Sequence, residues 1–107
     1  MWQVNITGER SVNETDTLEL TCTSSRLATL SWFRKENSSR LTKIVPTLRI
    51  SIISGDVEGS SVVYSIMTIR SVIVSDNDTF ICEAQDDDGF SSRVDHAVQV
   101  NGIVLMT

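Results

Sequence analysis

The sequence predicts an all-β protein built as a sandwich of two antiparallel sheets. Short runs of alternating apolar and polar residues are separated by clusters of Ser, Asn, Asp and Gly along the whole chain. Such alternation is the period of a strand with one buried face, and the clusters are typical of turns. No stretch of convincing length has the helical period, and proline occurs once, at Pro46.

The first half of the chain contains two of the clearest strands. Residues 18–22 alternate apolar and polar side chains, which predicts a strand with one buried face. Leu30 and Trp32 continue the pattern in the next strand, so Phe33 and Lys35 are expected on its opposite face.

Turn sequences divide the remainder into further short strands. The segment 86–89, Asp-Asp-Asp-Gly, predicts a tight hairpin, because Asp-Gly suits positions with a positive φ angle. A second turn is expected at 55–59, which is rich in Gly and acidic residues. The remaining strands are predicted at 41–45, 48–52, 62–69, 80–84 and 92–100.

Length and charge limit the function classes. At 107 residues the chain is long enough for one sandwich core, so residues 1–107 are predicted to form a single domain. The net charge of −5 and the absence of a Lys/Arg cluster disfavour nucleic acid as a partner. The apolar run at 103–106 is far shorter than a membrane span, so no membrane contact by this domain is expected.

Three residues and one extended segment carry a resemblance to a known family. Cys22 and Cys82 are the only cysteines, sixty positions apart, and Trp32 follows the first by ten. Residues 67–76, M-T-I-R-S-V-I-V-S-D, lead directly into D-N-D-T-F-I-C at 76–82. This arrangement resembles the immunoglobulin domain over essentially the whole chain.

The resemblance implies an immunoglobulin-like Greek-key sandwich in which a Cys22–Cys82 disulfide joins the two sheets and Trp32 packs against it. The chain departs from the family pattern at the corner tyrosine, which is Phe80 here, so the core keeps an aromatic ring but loses a hydroxyl. Asp78 replaces a residue that is usually small, and its charge is expected to face solvent.

The subtype follows less directly from the sequence. The cysteine spacing lies between those of intermediate-set and variable-set domains, and we favour a variable-like domain. In variable-type domains an arginine that opens strand D pairs with the aspartate six residues before the second cysteine. Arg49 and Asp76 stand at the matching positions. A solvated Arg49 is an equally good interpretation.

Potential glycosylation sites indicate the compartment. Four of the five asparagines lie in N-x-S/T acceptors, which is more than chance predicts. They are Asn5, Asn13, Asn37 and Asn77. Together with the cysteine pair they predict an extracellular protein, either secreted or the ectodomain of a membrane protein. We expect the chain to be a piece of a larger ectodomain, with any leader or anchor outside it.

No catalytic, cofactor-binding or metal-binding motif is found in the sequence. His96 is the single histidine and has no sequence neighbours that suggest a triad, so we expect neither enzymatic activity nor a cofactor. The run 86–88 is acidic, but three consecutive carboxylates lack the spacing of a calcium loop. We interpret it as a solvated turn that can steer a basic partner.

The resemblance implies binding through one sheet face. Variable-type domains commonly pair or bind ligands through the outer face of strands G, F, C and C′, called the GFCC′ face below. Phe33 and Ile81 are expected at its apolar centre, which is the anatomy of a modest interface. The predicted rim residues are Lys35, Lys43, Glu83 and Gln85. A half-buried Phe33 with no partner is an equal alternative.

The expected function is recognition or adhesion as part of a cell-surface receptor. The domain would bind a protein partner, which is either a different protein or a second copy of the chain. Phe90, just after the hairpin glycine, is a further interface candidate unless it folds back onto the sheet. The alternatives are a secreted immune-recognition domain that binds microbial glycan or protein through its loops, and a structural spacer between other domains.

Overall fold

The computed structural model describes residues 2–35 and 40–102, which form two sheets packed face to face as an immunoglobulin-like sandwich. The four-stranded sheet is antiparallel and has the order β1 (Val4–Gly8), β3 (Leu18–Ser24), β7 (Val63–Ile69), β6 (Ile50–Asp56). The five-stranded sheet has the order β2 (Ser11–Asn13), β9 (Ser91–Asn101), β8 (Asp78–Gln85), β4 (Thr29–Lys35), β5 (Leu41–Lys43). The predicted all-β sandwich is therefore confirmed.

The first strand of the fold is divided between the sheets. β1 pairs antiparallel with β3, whereas β2 pairs parallel with β9 in the other sheet. The crossing begins at Gly8, whose φ is +144°. A Cβ atom at Gly8 would lie 2.6 Å from the carbonyl oxygen of Glu19, so only glycine allows this close approach of β1 to β3.

The segment predicted at 48–52 forms β6, Ile50–Asp56, and pairs with β7, so it corresponds to strand D of the immunoglobulin fold. Between β5 and β6, the part of the chain that the structure describes contains no strand C″. The turn expected at 55–59 begins later, because Gly55 and Asp56 belong to β6. A Cβ atom at Gly55 would lie 2.7 Å from the hydroxyl oxygen of Tyr64, so a larger residue there would require the Tyr64 side chain to move.

The core lies between the sheets and contains the predicted disulfide. Cys22 in β3 and Cys82 in β8 are bonded with Cα atoms 6.4 Å apart, and both are fully buried. Closing a loop of this length contributes about 4 kcal/mol of stability in the chain-entropy model. Trp32 is buried and donates its indole N–H to Ser65 Oγ across the sandwich at 2.9 Å. The remaining fully buried large side chains are Leu18, Leu20, Met67, Ile69, Val72 and Phe80.

The sandwich has two distinct ends. The segments 25–28, 57–62 and 86–90 connect strands at the end that also holds Trp2, and this region is called the upper end. The short 3-10 helix Val74–Asp76 lies at the opposite, lower end, next to Gly102. Among the described residues, no helix is long and apolar enough to cross a membrane.

Candidate binding surface

The outward face of the five-stranded sheet carries one ordered row of side chains. In the strand register Lys43 pairs with Phe33, Phe33 with Ile81, and Ile81 with Asp95. Because Trp32 and Cys82 face the core, these neighbours face outward. The row therefore runs from a cation at β5, across two apolar residues, to an anion at β9.

The two apolar residues of the row differ in exposure. Phe33 is half-buried, but Ile81 is only 4% exposed. Ile81 lies on β8, which has β4 on one side and β9 on the other, so side chains of both neighbouring strands surround it. The expectation that Ile81 is an open contact point therefore needs correction. Ile81 packs beneath the surface of the face, and Phe33 is the accessible apolar residue of the row.

Charged residues surround this centre. Lys35 and Lys43 are exposed, and Gln85 lies exposed at the upper end of β8. Glu83 is half-buried because Arg93 Nε contacts its carboxylate at 2.6 Å. Arg93 and Asp95 were not predicted as part of this face, although the alternation along β9 places both of them outward.

Phe90 lies at the upper end and does not fold back onto the sheet, since it is 69% exposed. Its position is determined by Asp86, whose Oδ1 accepts hydrogen bonds from the backbone N–H of Asp88 and of Phe90, both at 3.0 Å. Asp86 is thus not a freely solvated turn residue. Within residues 2–35 and 40–102 there is no group of three or more His, Cys, Asp or Glu residues that could hold a metal ion.

Contacts between neighbouring segments join the upper end into one surface. Arg26 Nη1 lies 3.4 Å from Asp86 Oδ2, and the Arg26 guanidinium stacks over the ring of Trp2 at 4.6 Å. The Trp2 indole N–H donates to Ser24 Oγ at 2.9 Å. The β6–β7 connection is attached as well, because the hydroxyl of Ser61 donates to the carbonyl of residue 25 at 2.9 Å.

The lower end is closed by a charge cluster that includes the predicted pair. Arg49 Nη2 contacts Asp76 Oδ2 at 2.6 Å, and Arg34 Nη2 contacts the other carboxylate oxygen at 3.2 Å. Arg34 Nε also lies 3.3 Å from Asp78 Oδ2, without the alignment of a hydrogen bond. The Arg34 guanidinium lies over the ring of Phe80, 5.5 Å from its centroid.

Two predictions for this cluster can now be judged. Arg49 is not a solvated arginine, since it also donates from Nε to the carbonyl of Arg70 at 3.2 Å. Asp78 was expected to face solvent, and that was wrong: its side chain is mostly buried beside Arg34. The reason is the alternation of β8, which places residue 78 on the same inward face as Phe80.

Opposing effects determine the ionisation of Asp76. Burial disfavours the carboxylate and by itself raises the pKa of Asp76. The backbone N–H of Ile73, which donates to Oδ2 at 2.8 Å, and the two arginines outweigh burial, so the pKa lies below its ordinary value of 3.8. Asp76 is therefore ionised at neutral pH.

His96 belongs to the core side of β9 and is 3% exposed. Its Nε2 lies 3.0 Å from the carbonyl oxygen of Glu9. Because a carbonyl can only accept, Nε2 carries the proton, and the ring fixes the segment between β1 and β2 against β9. This is a packing role that requires no chemistry at the imidazole.

Three of the four predicted glycosylation sites lie within the described residues, and all three are exposed: Asn5, Asn13 and Asn77. Asn37 lies outside the described residues. Asn13 belongs to β2, the edge strand of the five-stranded sheet. Sugars at Asn13 would therefore extend from the β9 side of that sheet.

No protein-family model matches the sequence, and a search of curated proteins gives no match either. The immunoglobulin-like sandwich and its disulfide are thus observations on this chain alone. A buried disulfide of this kind indicates folding in an oxidising environment.

Proposed function

We propose that the chain is an extracellular recognition domain of the immunoglobulin superfamily, variable-like or intermediate-set, and that it binds a protein partner through the GFCC′ face. The favoured partner is a second copy of the chain. The observation that carries this proposal is the row Lys43, Phe33, Ile81, Asp95, with charges of opposite sign at its two ends.

The row is complementary to itself under one symmetry operation. A two-fold axis parallel to the strands, between β4 and β8, reverses the row when two copies stack face to face. Lys43 of each copy then lies opposite Asp95 of the other, and Phe33 lies opposite Ile81. Each attractive pair occurs twice in such an isologous dimer. The charges fix the register, and desolvation of Phe33 provides the apolar contribution.

Sedimentation equilibrium with charge-exchanged variants tests the proposal. Lys43→Glu and Asp95→Lys should each weaken dimerisation by roughly tenfold or more, because each places like charges opposite one another. The double variant Lys43→Glu/Asp95→Lys should restore it. Phe33→Asp should abolish dimerisation, whereas Ile53→Asp, on the outer face of the other sheet, should leave it unchanged. A strictly monomeric wild type at millimolar concentration would contradict homophilic binding.

A second candidate is recognition through the upper end, by contact with a basic protein surface or a microbial glycan. Leu27 and Phe90 are both exposed, and they flank the Arg26–Asp86 ion pair. Leu27 follows Arg26 in the chain, and the backbone N–H of Phe90 donates to Asp86. The exposed acidic residues around them are Asp56, Glu58, Asp87 and Asp88. An apolar pair within an acidic rim favours a partner with a positively charged surface.

Binding assays on arrays of glycans and basic peptides distinguish this candidate from the first. Loss of binding in Leu27→Ser/Phe90→Ser, with dimerisation unchanged, would assign the upper end. Loss in Phe33→Asp alone would assign the sheet face. A structural spacer should bind in neither assay.

A further inference from the structure

An open groove of about 470 Å³ lies beside the sequon at 77–79. Asn77 and Val74 line the groove, and the other lining residues are Arg10, Ala97, Val98, Gln99 and Val100. The volume is within the range of about 300–1,000 Å³ that is usual for sites of small ligands. The groove therefore begins at the side chain that would carry a sugar.

In the folded domain the side chain of Asn77 leaves its nitrogen available to carry a sugar. Its Oδ1 accepts a hydrogen bond from the backbone N–H of Val100 at 3.0 Å. Since an N–H can only donate, the other terminal atom is Nδ2, the atom that is glycosylated. No hydrogen bond joins Nδ2 to another of the described residues, and the Asn77 backbone N–H donates to the carbonyl of Val74 at 2.9 Å.

The groove has the chemistry of a sugar-binding surface. Val74 is 51% exposed, and Ala97 on β9 is exposed as well, so both present aliphatic surface to solvent. Arg10 and Gln99 are exposed on the same groove and can hydrogen-bond to hydroxyl and acetamido groups. The groove that contains Asn13 is instead lined by polar and acidic residues beside a buried Val12, so it lacks exposed aliphatic surface.

We propose that Asn77 carries an N-linked glycan whose first N-acetylglucosamine packs in this groove, with the C–H face of the sugar on Val74 and Ala97. The modification forms a bond from Nδ2 to C1 of the sugar, breaks the bond from C1 to the pyrophosphate of the lipid donor, and releases the amide proton. The glycan then covers exposed aliphatic surface and stabilises the lower end. Because Ala97 is two residues from Asp95 on the outward side of β9, a sugar in the groove would lie at the lower edge of the GFCC′ face.

The test uses the whole chain, secreted from cells that make mannose-rich glycans, in a variant where Asn77 is the only intact sequon. Endoglycosidase H leaves one N-acetylglucosamine on Asn77. We expect a Tm about 3 °C higher for this form than for the same polypeptide refolded without sugar. In Val74→Ser the difference between the two forms should disappear, whatever the substitution does to the Tm of the sugar-free form.

A variant that keeps only the Asn5 sequon is the matched control, because Asn5 lies on the outer face of the other sheet. Its single sugar should give a Tm difference that Val74→Ser does not alter. Mass spectrometry that finds Asn77 unmodified in the secreted protein overturns the proposal. A gain in Tm from the Asn77 sugar that is equal with and without the Val74→Ser substitution overturns the packing in the groove.

Discussion

Both ends of this sandwich are joined by arginine–aspartate pairs, but the two sets differ in the number and the exposure of their arginines. At the lower end Asp76 is 5% exposed and contacts two arginines and a backbone N–H. At the upper end Asp86 is 11% exposed and Arg26 is 51% exposed, and the contact between them measures 3.4 Å. Both aspartate side chains are thus mostly buried, and the lower cluster differs in having a second arginine and less exposed arginines, 25% and 41%.

The difference indicates separate roles for the two ends. Removing a partner from a buried ion pair leaves an uncompensated charge, so we expect the lower cluster to make the larger contribution to stability. An ion pair with an exposed partner contributes little to the free energy of unfolding. The Arg26–Asp86 contact therefore acts mainly to hold the segments 25–28 and 86–90 next to each other. The upper end can therefore change its sequence at low cost in stability, which suits a recognition surface.

The largest effect is expected for Asp76→Ala. The substitution leaves Arg34 and Arg49 without their shared anion and Ile73 without its acceptor. Because Arg49 is 41% exposed, we take the lower end of the range for broken buried pairs, about 3 kcal/mol of unfolding free energy. Urea denaturation measures it, with the exposed Asp87→Ala as the control. A loss below about 0.5 kcal/mol would mean that the cluster is no more than a surface pair.

A smaller effect on the unfolding free energy is expected when the pH is lowered. The pKa of Asp76 is lowered in the folded state, so its contribution is present above the unfolded value of about 3.9 and is lost as the pH falls through the folded value. The stability difference between wild type and Asp76→Asn should therefore shrink below about pH 4. Urea unfolding at pH 7, 5, 4, 3 and 2 measures this. A difference that stays constant to pH 2 contradicts ionisation of Asp76 as the source of its effect.

The sequence predicts part of this comparison. Arg49 and Asp76 could be paired because they occupy positions that variable-type domains use, and both are near turns that bring them together. Arg34 and Asp78 could not be paired in the same way. They are charged residues at inward positions of two strands, and their contact depends on the register that places Arg34 beside Phe80, two residues from Asp78.

The candidate binding surface also depends on contacts between strands that the sequence alone does not predict. Alternation along one strand shows that Phe33 and Ile81 face outward, and the structure agrees. Alternation does not show which side chains of neighbouring strands pack around these two residues. The burial of Ile81 therefore follows only from its position on a central strand. The row that ends at Asp95 likewise requires the register between β8 and β9.

The smallest effect, and the sharpest test of the comparison, is expected for Arg26→Ala. The substitution removes an exposed ion pair and a cation–π contact with Trp2, so we expect a loss of about 0.5–1 kcal/mol of unfolding free energy. In 1 M NaCl the Debye length falls to about 3 Å, so the ion-pair part of this loss should vanish there. The loss in Asp76→Ala should change less in the same salt, because Asp76 itself is 5% exposed and also accepts a hydrogen bond from a backbone N–H. Equal salt sensitivity of the two variants would show that both ends are held by surface electrostatics, and the assignment of separate roles would then be wrong.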